Sequence, residues 1–371
     1  MARSVEEASR ALVGFHGTDP TSVYLAAWAR VRAFRTATLE TALYDERSLL
    51  KILGMRRTMF VVPVELAGII QSACTEAIAR RERARLVKML EDNDIAKDGL
   101  AWLEGVEAET LSALHRVGEA TAADLTKEVP GLREQIRFGE GRTWQGTVGV
   151  STRLLFLLSS EGRIIRGRPK GSLVSSLYRW VPMDTWLPDG LPETPKPEAQ
   201  AELVRRWLAS FGPGTRRDIQ WWTGWTVAET RRALDAIGAV EVDLEGGGQG
   251  FVLPHDLEAS APPDRWIAFL PGLDATPMGW NEREWYLGPH KSRIFDTNGN
   301  AGPTVWLDGR IVGGWTQRRT GEVVFELLED PGAETRSDIA ERAAGLQAWL
   351  GELRFIPRFR TPLEQAMHQG E

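Results

Sequence analysis

The chain has 371 residues, 42% of them hydrophobic and 26% charged, the balance of a folded globular protein, which excludes wholesale disorder. At roughly 150 residues per domain, that length implies two or three modules. A net charge of -6 argues against coating nucleic acid through bulk charge, and a lone cysteine, Cys74, excludes a disulfide framework or a multi-cysteine zinc site.

No apolar run approaches the roughly 20 residues that span a bilayer, so no membrane partner is expected. The N-terminus turns acidic at Glu6 and Glu7 and lacks the apolar core of a signal peptide, so a cytoplasmic protein is expected.

In chain order, Ser4-Val5-Glu6-Glu7 reads as a capping box whose helix runs to about Val13, with Gly14 as its stop. After the loop Phe15 to Asp19, Asp19 reads as the cap and Pro20 as the first residue of a second helix carrying Val23, Tyr24, Ala27 and Trp28 at helical spacing.

Three stretches of similar design follow. The first has helices expected over Thr38 to Tyr44 and Arg47 to Leu53, then a strand from Arg57 to Pro63. The second has helices over Thr110 to Val117, Thr121 to Val129 and Gly149 to Glu161. A strand pair, Arg163 to Gly167 and Leu177 to Val181, flanks a basic turn. The third has helices over Pro197 to Phe211, Thr215 to Trp222 and Val227 to Ile237. The hairpin strands Ala239 to Leu244 and Phe251 to Pro254 then join through the turn Glu245-Gly246-Gly247-Gly248-Gln249-Gly250.

Helix, helix, helix and ribbon is the winged-helix plan, in which the third helix enters a DNA groove. Such units also serve as pure protein-packing modules. The acidic linker Asp184 to Glu202, with four prolines, marks a boundary. Beyond Pro262-Pro263, short runs at Arg265 to Leu270, Thr304 to Trp306, Arg310 to Arg318 and Glu322 to Leu328 predict a small antiparallel barrel or sheet. A last helix runs from Ala333 to Leu350.

The expected fold is therefore α+β and mainly α: tandem winged-helix units with a C-terminal β-barrel or sheet. The domains expected are 1–105, 106–183, 184–260 and 261–371.

Charge is segregated along the chain. Arg142 to Trp180 carries a net +6 and Leu203 to Arg232 a net +4, while Arg354, Arg358 and Arg360 form a basic tail. Only 7 of the 45 cations are lysine, and arginine offers a planar fork suited to phosphate. Ordinary solvated faces and a GC-rich genome explain such a composition equally simply. The candidate DNA contacts are the wing cations Arg163, Arg166, Arg168 and Lys170 and the pairs Arg56–Arg57, Arg216–Arg217 and Arg318–Arg319.

Four segments together resemble a known family: Leu49 to Phe60 (LLKILGMRRTMF), Pro271 to Trp280 (PGLDATPMGW), Asn298 to Pro303 (NGNAGP) and Asp308 to Trp315 (DGRIVGGW). They look like the winged-helix DNA-binding proteins that include the AlkZ and YcaQ type bacterial DNA glycosylases. The resemblance spans nearly the whole chain. It implies tandem winged-helix units around duplex DNA and hydrolysis of the N-glycosidic bond of N7-alkylated purines by a cofactor-free monomer. In some members it implies self-resistance to a DNA-alkylating antibiotic.

The family's Gln-x-Gln or Gln-x-Asp motif, followed closely by Asp-Pro, falls on His16-Gly17-Thr18 and Asp19-Pro20, so both glutamines are replaced. Roles carry over by position. His16 is the candidate base for a water, since imidazole titrates near neutral pH. Thr18 is the candidate to position that water, and Asp19 to add a negative field beside the sugar, although capping alone explains Asp19.

Tyr24 and Trp28 could line a lesion pocket but suit core packing better. His290, in the loop Trp285 to Lys291, could meet DNA. The other histidines lack metal-ligand spacing, and Gly246 to Gly248 and Gly313-Gly314 lack the strand-to-helix context of a phosphate cradle. The rival readings are a non-catalytic DNA-binding regulator and a lesion-sequestering protein.

Overall fold

The protein is described by a computed structural model covering residues 1–172, 174–245, 247–258, 260–355 and 360–369, so Gly246 and Arg358 lie outside the described residues. The chain forms two compact units: Met1–Leu39 together with Ala201–Glu371, and Glu40–Gln200.

At the N-terminus α1 (Val5–Ala11) opens on Ser4, whose hydroxyl accepts from the Glu7 amide at 3.2 Å. The Glu7 carboxylate does not return to Ser4; it accepts from the Arg3 amide at 2.9 Å. Phe15–His16 is extended. α2 (Pro20–Arg30) begins as its sequence dictates. Asp19 Oδ1 accepts from the amide and the hydroxyl of Thr21, at 2.9 and 2.8 Å, and proline occupies the first turn, where no amide is needed.

In the unit Glu40–Gln200 one expectation fails at once. Leu49–Leu53 is a strand, β1, and pairs antiparallel with β2 (Met59–Pro63), Leu49 facing Pro63 and Leu53 facing Met59. Every residue of both strands is buried, Lys51 included, so Leu49–Leu53 shows no alternation of faces to separate strand from helix. Arg56 and Arg57 therefore sit at a hairpin turn, both at positive φ (53° and 63°).

The unit continues through α3 (Val64–Ile70), α4 (Glu76–Asp92) and α5 (Gly99–Val117), the last beginning eleven residues before the expected Thr110. Next come β3 (Ala120–Thr121), α6 (Ala122–Glu128), the hairpin β4 (Gln135–Phe138) and β5 (Gly146–Gly149), α7 (Val150–Ser160), β6 (Ile164–Pro169) and β7 (Tyr178–Pro182). Strand β7 lies between β3 and β6, antiparallel to both. Leu86, Leu90, Leu103, Leu114, Leu125, Leu154 and Leu158, from α4 to α7, build the core against Ile164 and Trp180 of the sheet.

α8 (Lys196–Phe211) begins in this unit and ends in the other, which continues with α9 (Arg216–Thr223) and α10 (Val227–Ala236), both of the latter opened by reciprocal capping boxes, Thr215 with Asp218 and Thr226 with Glu229. The ribbon β8 (Val240–Asp243) and β9 (Gln249–Val252) follows, with Gly214 bridged to Phe251.

A four-stranded antiparallel sheet runs in chain order through β10 (Ile267–Leu270), β11 (Thr304–Leu307), β12 (Arg310–Gln317) and β13 (Val323–Leu327). It is a sheet rather than a closed barrel. α11 (Ala333–Leu350) packs on it, and α12 (Pro362–Met367), which the sequence reading did not anticipate, follows.

The tryptophans serve this core: Trp280, Trp306 and Trp315 surround Tyr286 and Phe269, and the indoles of Trp280 and Trp315 donate to the carbonyls of Phe211 and Leu270 at 2.9 and 2.8 Å. Cys74 is buried and takes part in no disulfide among the described residues. Among the described residues no helix is long and apolar enough to cross a membrane.

Candidate functional site

The loop expected to carry the chemistry is anchored by α2. Arg30, in its last turn, grips Asp274 with two hydrogen bonds of 2.8 and 2.6 Å and reaches Thr276 Oγ1 at 2.9 Å. The Ser22 hydroxyl donates to the Gly272 carbonyl at 2.6 Å. The segment Pro271 to Trp280 thus holds the helix whose N-terminus presents Thr18 and Asp19.

A second turn closes beside it. Asp296 Oδ1 accepts from the amides of Asn298 and Asn300, and Oδ2 from the Asn300 side chain, all at 2.8 Å.

Between these segments lies a cavity of about 60 Å3 lined by Thr18, Asp19, Gly272, Asn300, Gly302, Pro303, Thr361 and Glu364. A neighbouring one of about 40 Å3 shares Asp19, Gly272, Pro303 and Glu364. Each has room for one or two waters, at about 30 Å3 per molecule.

Glu364 is 1% exposed. Its Oε2 accepts from the Thr361 amide at 2.9 Å and hydroxyl at 3.1 Å, closing a capping box at the start of α12, while Oε1 is buried with no hydrogen-bond partner among the described residues. Burial first, and the charge of Asp19 as well, push this carboxyl up to about 7 against the pull of Thr361 and Arg360. The Thr361-Pro362-Leu363-Glu364 signature was visible in the sequence as a capping box with proline at the first helical position. Its place at the cavity was not.

The structure separates the three expected loop residues. Thr18 is exposed and Asp19 half-buried, both on the cavity wall, whereas His16 is 5% exposed and does not line either cavity. Tyr24 is buried in the core, and Trp28 packs against Trp349 at 5.9 Å under the Arg342 guanidinium. His290 pairs with Glu329 at 3.0 Å.

Three of the four wing cations expected to meet phosphate, Arg163, Arg166 and Arg168, have partners within the protein. Arg163 and Arg83 share the buried Glu107 carboxylate, at 3.1 and 2.7 Å, because burying that charge requires paired donors. Arg166 lies over the rings of Tyr178 and Trp180, its charge disfavoured by desolvation. Arg168 pairs with Asp45 at 3.0 Å and Glu40 at 3.4 Å. Lys170 is exposed, with no ion pair or ring contact among the described residues.

Arg57 pairs with Glu82 at 3.0 Å and Arg56 is half-buried. Arg216 and Arg217 are exposed in the first turn of α9. Arg318 pairs with Glu322 at 2.9 Å, and Arg319 is exposed. The hairpin β4–β5 was not foreseen from the sequence; there Trp144 is 63% exposed and stacked on Phe138, and Arg137 and Arg142 are nearby in the chain. The alternation Gln135 to Phe138 ahead of Gly139 and Gly141 was its available signal.

A family model described as DNA glycosylase AlkZ-like matches residues 9–349. Among solved structures, the Streptomyces sahachiroi DNA glycosylase AlkZ has a TM-score of 0.69 at 19% identity, covering 94% of this chain and 92% of that one, a likeness of fold. No curated protein sequence matches the chain.

Proposed function

This chain belongs to the AlkZ-like DNA glycosylase family, and on that premise we propose that it binds duplex DNA and hydrolyses the N-glycosidic bond of N7-alkylated purines. The observation that carries the reading is convergence: the segments Pro271 to Trp280 and Asn298 to Pro303 meet Thr18 and Asp19 around one small, carboxyl-lined cavity.

An N7-alkylated purine is already cationic and leaves as a neutral base without a general acid. The site then has to supply a water and negative charge near the sugar. Thr18 offers a hydroxyl to position the water, and Asp19 offers the charge.

The two helix–helix–helix–ribbon runs within 106–183 and 184–260 act as winged-helix units, with Lys170, Arg216, Arg217 and Arg319 facing phosphates. The expected first unit, within 1–105, departs from that plan because β1 replaces its second helix. The hairpin β4–β5 presents Trp144 and Arg142 to the duplex. Self-resistance to a DNA-alkylating antibiotic is the biological setting this reading suggests, and neighbouring biosynthetic genes would support it.

The test is incubation with a duplex containing N7-methylguanine, followed by alkali to reveal abasic sites. Wild-type protein is expected to release the base. No release from any alkylated purine would favour the second reading, a non-catalytic DNA-binding protein, which the replaced glutamines at His16 and Thr18 support.

Single-turnover excision by His16→Ala decides the base expected from the sequence. A loss of about 10²–10⁴-fold marks general-base catalysis. A wild-type rate removes His16 from the chemistry and leaves it to the cavity carboxyls.

A further inference from the structure

Resting on the glycosylase reading, we propose that Glu364 is the proton acceptor of the site, its inward oxygen taking up, through water held in the cavity it shares with Asp19, the proton released when water attacks the sugar. Three observations carry this.

First, Glu364 commits only half of its carboxylate to structure. Oε2 satisfies the cap of α12, and Oε1 is buried without a partner among the described residues, at the wall of a space the size of one or two waters. A buried carboxyl oxygen is costly to leave unsatisfied, and a water hydrogen-bonded to it relieves that cost.

Second, the neighbouring Asp296 has the opposite arrangement, with both oxygens filled by its own turn, so it holds its loop and has nothing left for the cavity.

Third, the chain keeps the space tight. A Cβ on Gly302 would lie 2.7 Å from the Thr361 side chain and 3.0 Å from Glu364 Oε2, so only glycine lets that turn close against the carboxyl.

In the reaction the water oxygen bonds to C1′, and the C1′–N bond breaks with its electron pair leaving on the cationic base, which departs neutral. The water proton travels through the cavity to the Glu364 carboxylate. The cavity wall shared with Asp19 makes Glu364 a residue that acts through water.

Among the described residues the charged groups around Glu364 are few. Asp19 comes from the start of α2 and Asp296 from its turn. Lys291 comes from the short helix Lys291–Ile294, beside an Arg293–Glu326 pair that reaches β13. Arg318, just past the end of β12, is paired with Glu322, and Arg360 and His368 flank α12. Of these, Asp19 raises the Glu364 carboxyl and Arg360 lowers it, while burial outweighs both and sets it at about 7.

The experiment pairs a titration with a rate profile. In protein labelled with 13C at the glutamate carboxyls, the resonance absent from Glu364→Gln should titrate near pH 7, and Asp19→Asn should move that midpoint down by removing a like charge. On an N7-methylguanine duplex, single-turnover excision should rise about tenfold per pH unit below that midpoint and level off above it. Glu364→Gln, which keeps the Thr361 cap, should show a flat profile and a loss of about 10²-fold or more at pH 8.

A Glu364 midpoint near the ordinary carboxylate range overturns the proposal. So does a wild-type pH profile in Glu364→Gln, which would assign the midpoint to the substrate. Absence of base release by the wild type at every pH overturns the glycosylase reading and this role together. An active wild type beside an unaffected Glu364→Gln overturns the role alone.

Discussion

Replacing Arg30 by methionine tests whether the loop is held from behind. Asp274 has a fully buried side chain, and Arg30 supplies two of its hydrogen bonds at 2.8 and 2.6 Å, while the Thr276 amide supplies one at 2.9 Å. Removing the guanidinium leaves a buried carboxylate with that single donor. Breaking a buried ion pair from one side costs about 3–5 kcal/mol, roughly a fifth or more of the stability of a typical domain. Asp274→Asn should cost about half as much, because its side-chain carbonyl still accepts from Thr276 and the stranded guanidinium, 18% exposed, reaches water.

The double variant should cost far less than the sum of the singles, because the two groups share one interaction. Urea unfolding followed by tryptophan fluorescence measures all three. A loss under about 1 kcal/mol in Arg30→Met at unchanged m-value would place the pair among ordinary surface ion pairs and refute the anchoring argument.

Other perturbations probe the rest of the site. Glu364 binds its proton more tightly when folded, its carboxyl rising from 4.5 to about 7. Its stabilising contribution is therefore complete below about pH 4.5 and is lost as pH rises through 7, which amounts to roughly 3 kcal/mol at 1.36 kcal/mol per pH unit. Glu364→Gln should accordingly be the more stable protein at pH 8 and show no such gain at pH 4.5, and unfolding at the two pH values checks the sign. Gly302→Ala should destabilise by about 1–3 kcal/mol through overpacking against Thr361 and Glu364, as read by thermal unfolding. The triple variant Lys170→Ala, Arg216→Ala and Arg217→Ala should bind duplex DNA with a flatter slope of log K against log salt, by roughly 0.9 for each phosphate it no longer neutralises. Arg166→Ala, whose guanidinium covers two rings, should leave that slope unchanged; a flattened slope would return Arg166 to the DNA face.

Much of this protein was written locally. The Asp19-Pro20 start of α2, the capping boxes at Thr215 and Thr226, the β runs after Pro263 and the final long helix ending at Gly351 depend on residues within a few positions of one another, so the sequence alone determined them. Leu49 to Leu53 could not be settled that way, because burial on both faces erases the periodicity that separates strand from helix, and only pairing with Met59–Pro63 decided it.

The charged residues show the same limit more sharply. Composition announced a basic wing, but whether an arginine meets solvent or a buried carboxylate depends on partners as distant in sequence as Glu107 is from Arg163 and Asp45 from Arg168. The sequence marked Thr18, Asp19, Pro271 to Trp280 and Asn298 to Pro303 as segments of interest. That they enclose one cavity, and that Glu364 closes it from the far end of the chain, was decided by tertiary packing, because a cavity is a property of surfaces brought together and has no period or spacing of its own.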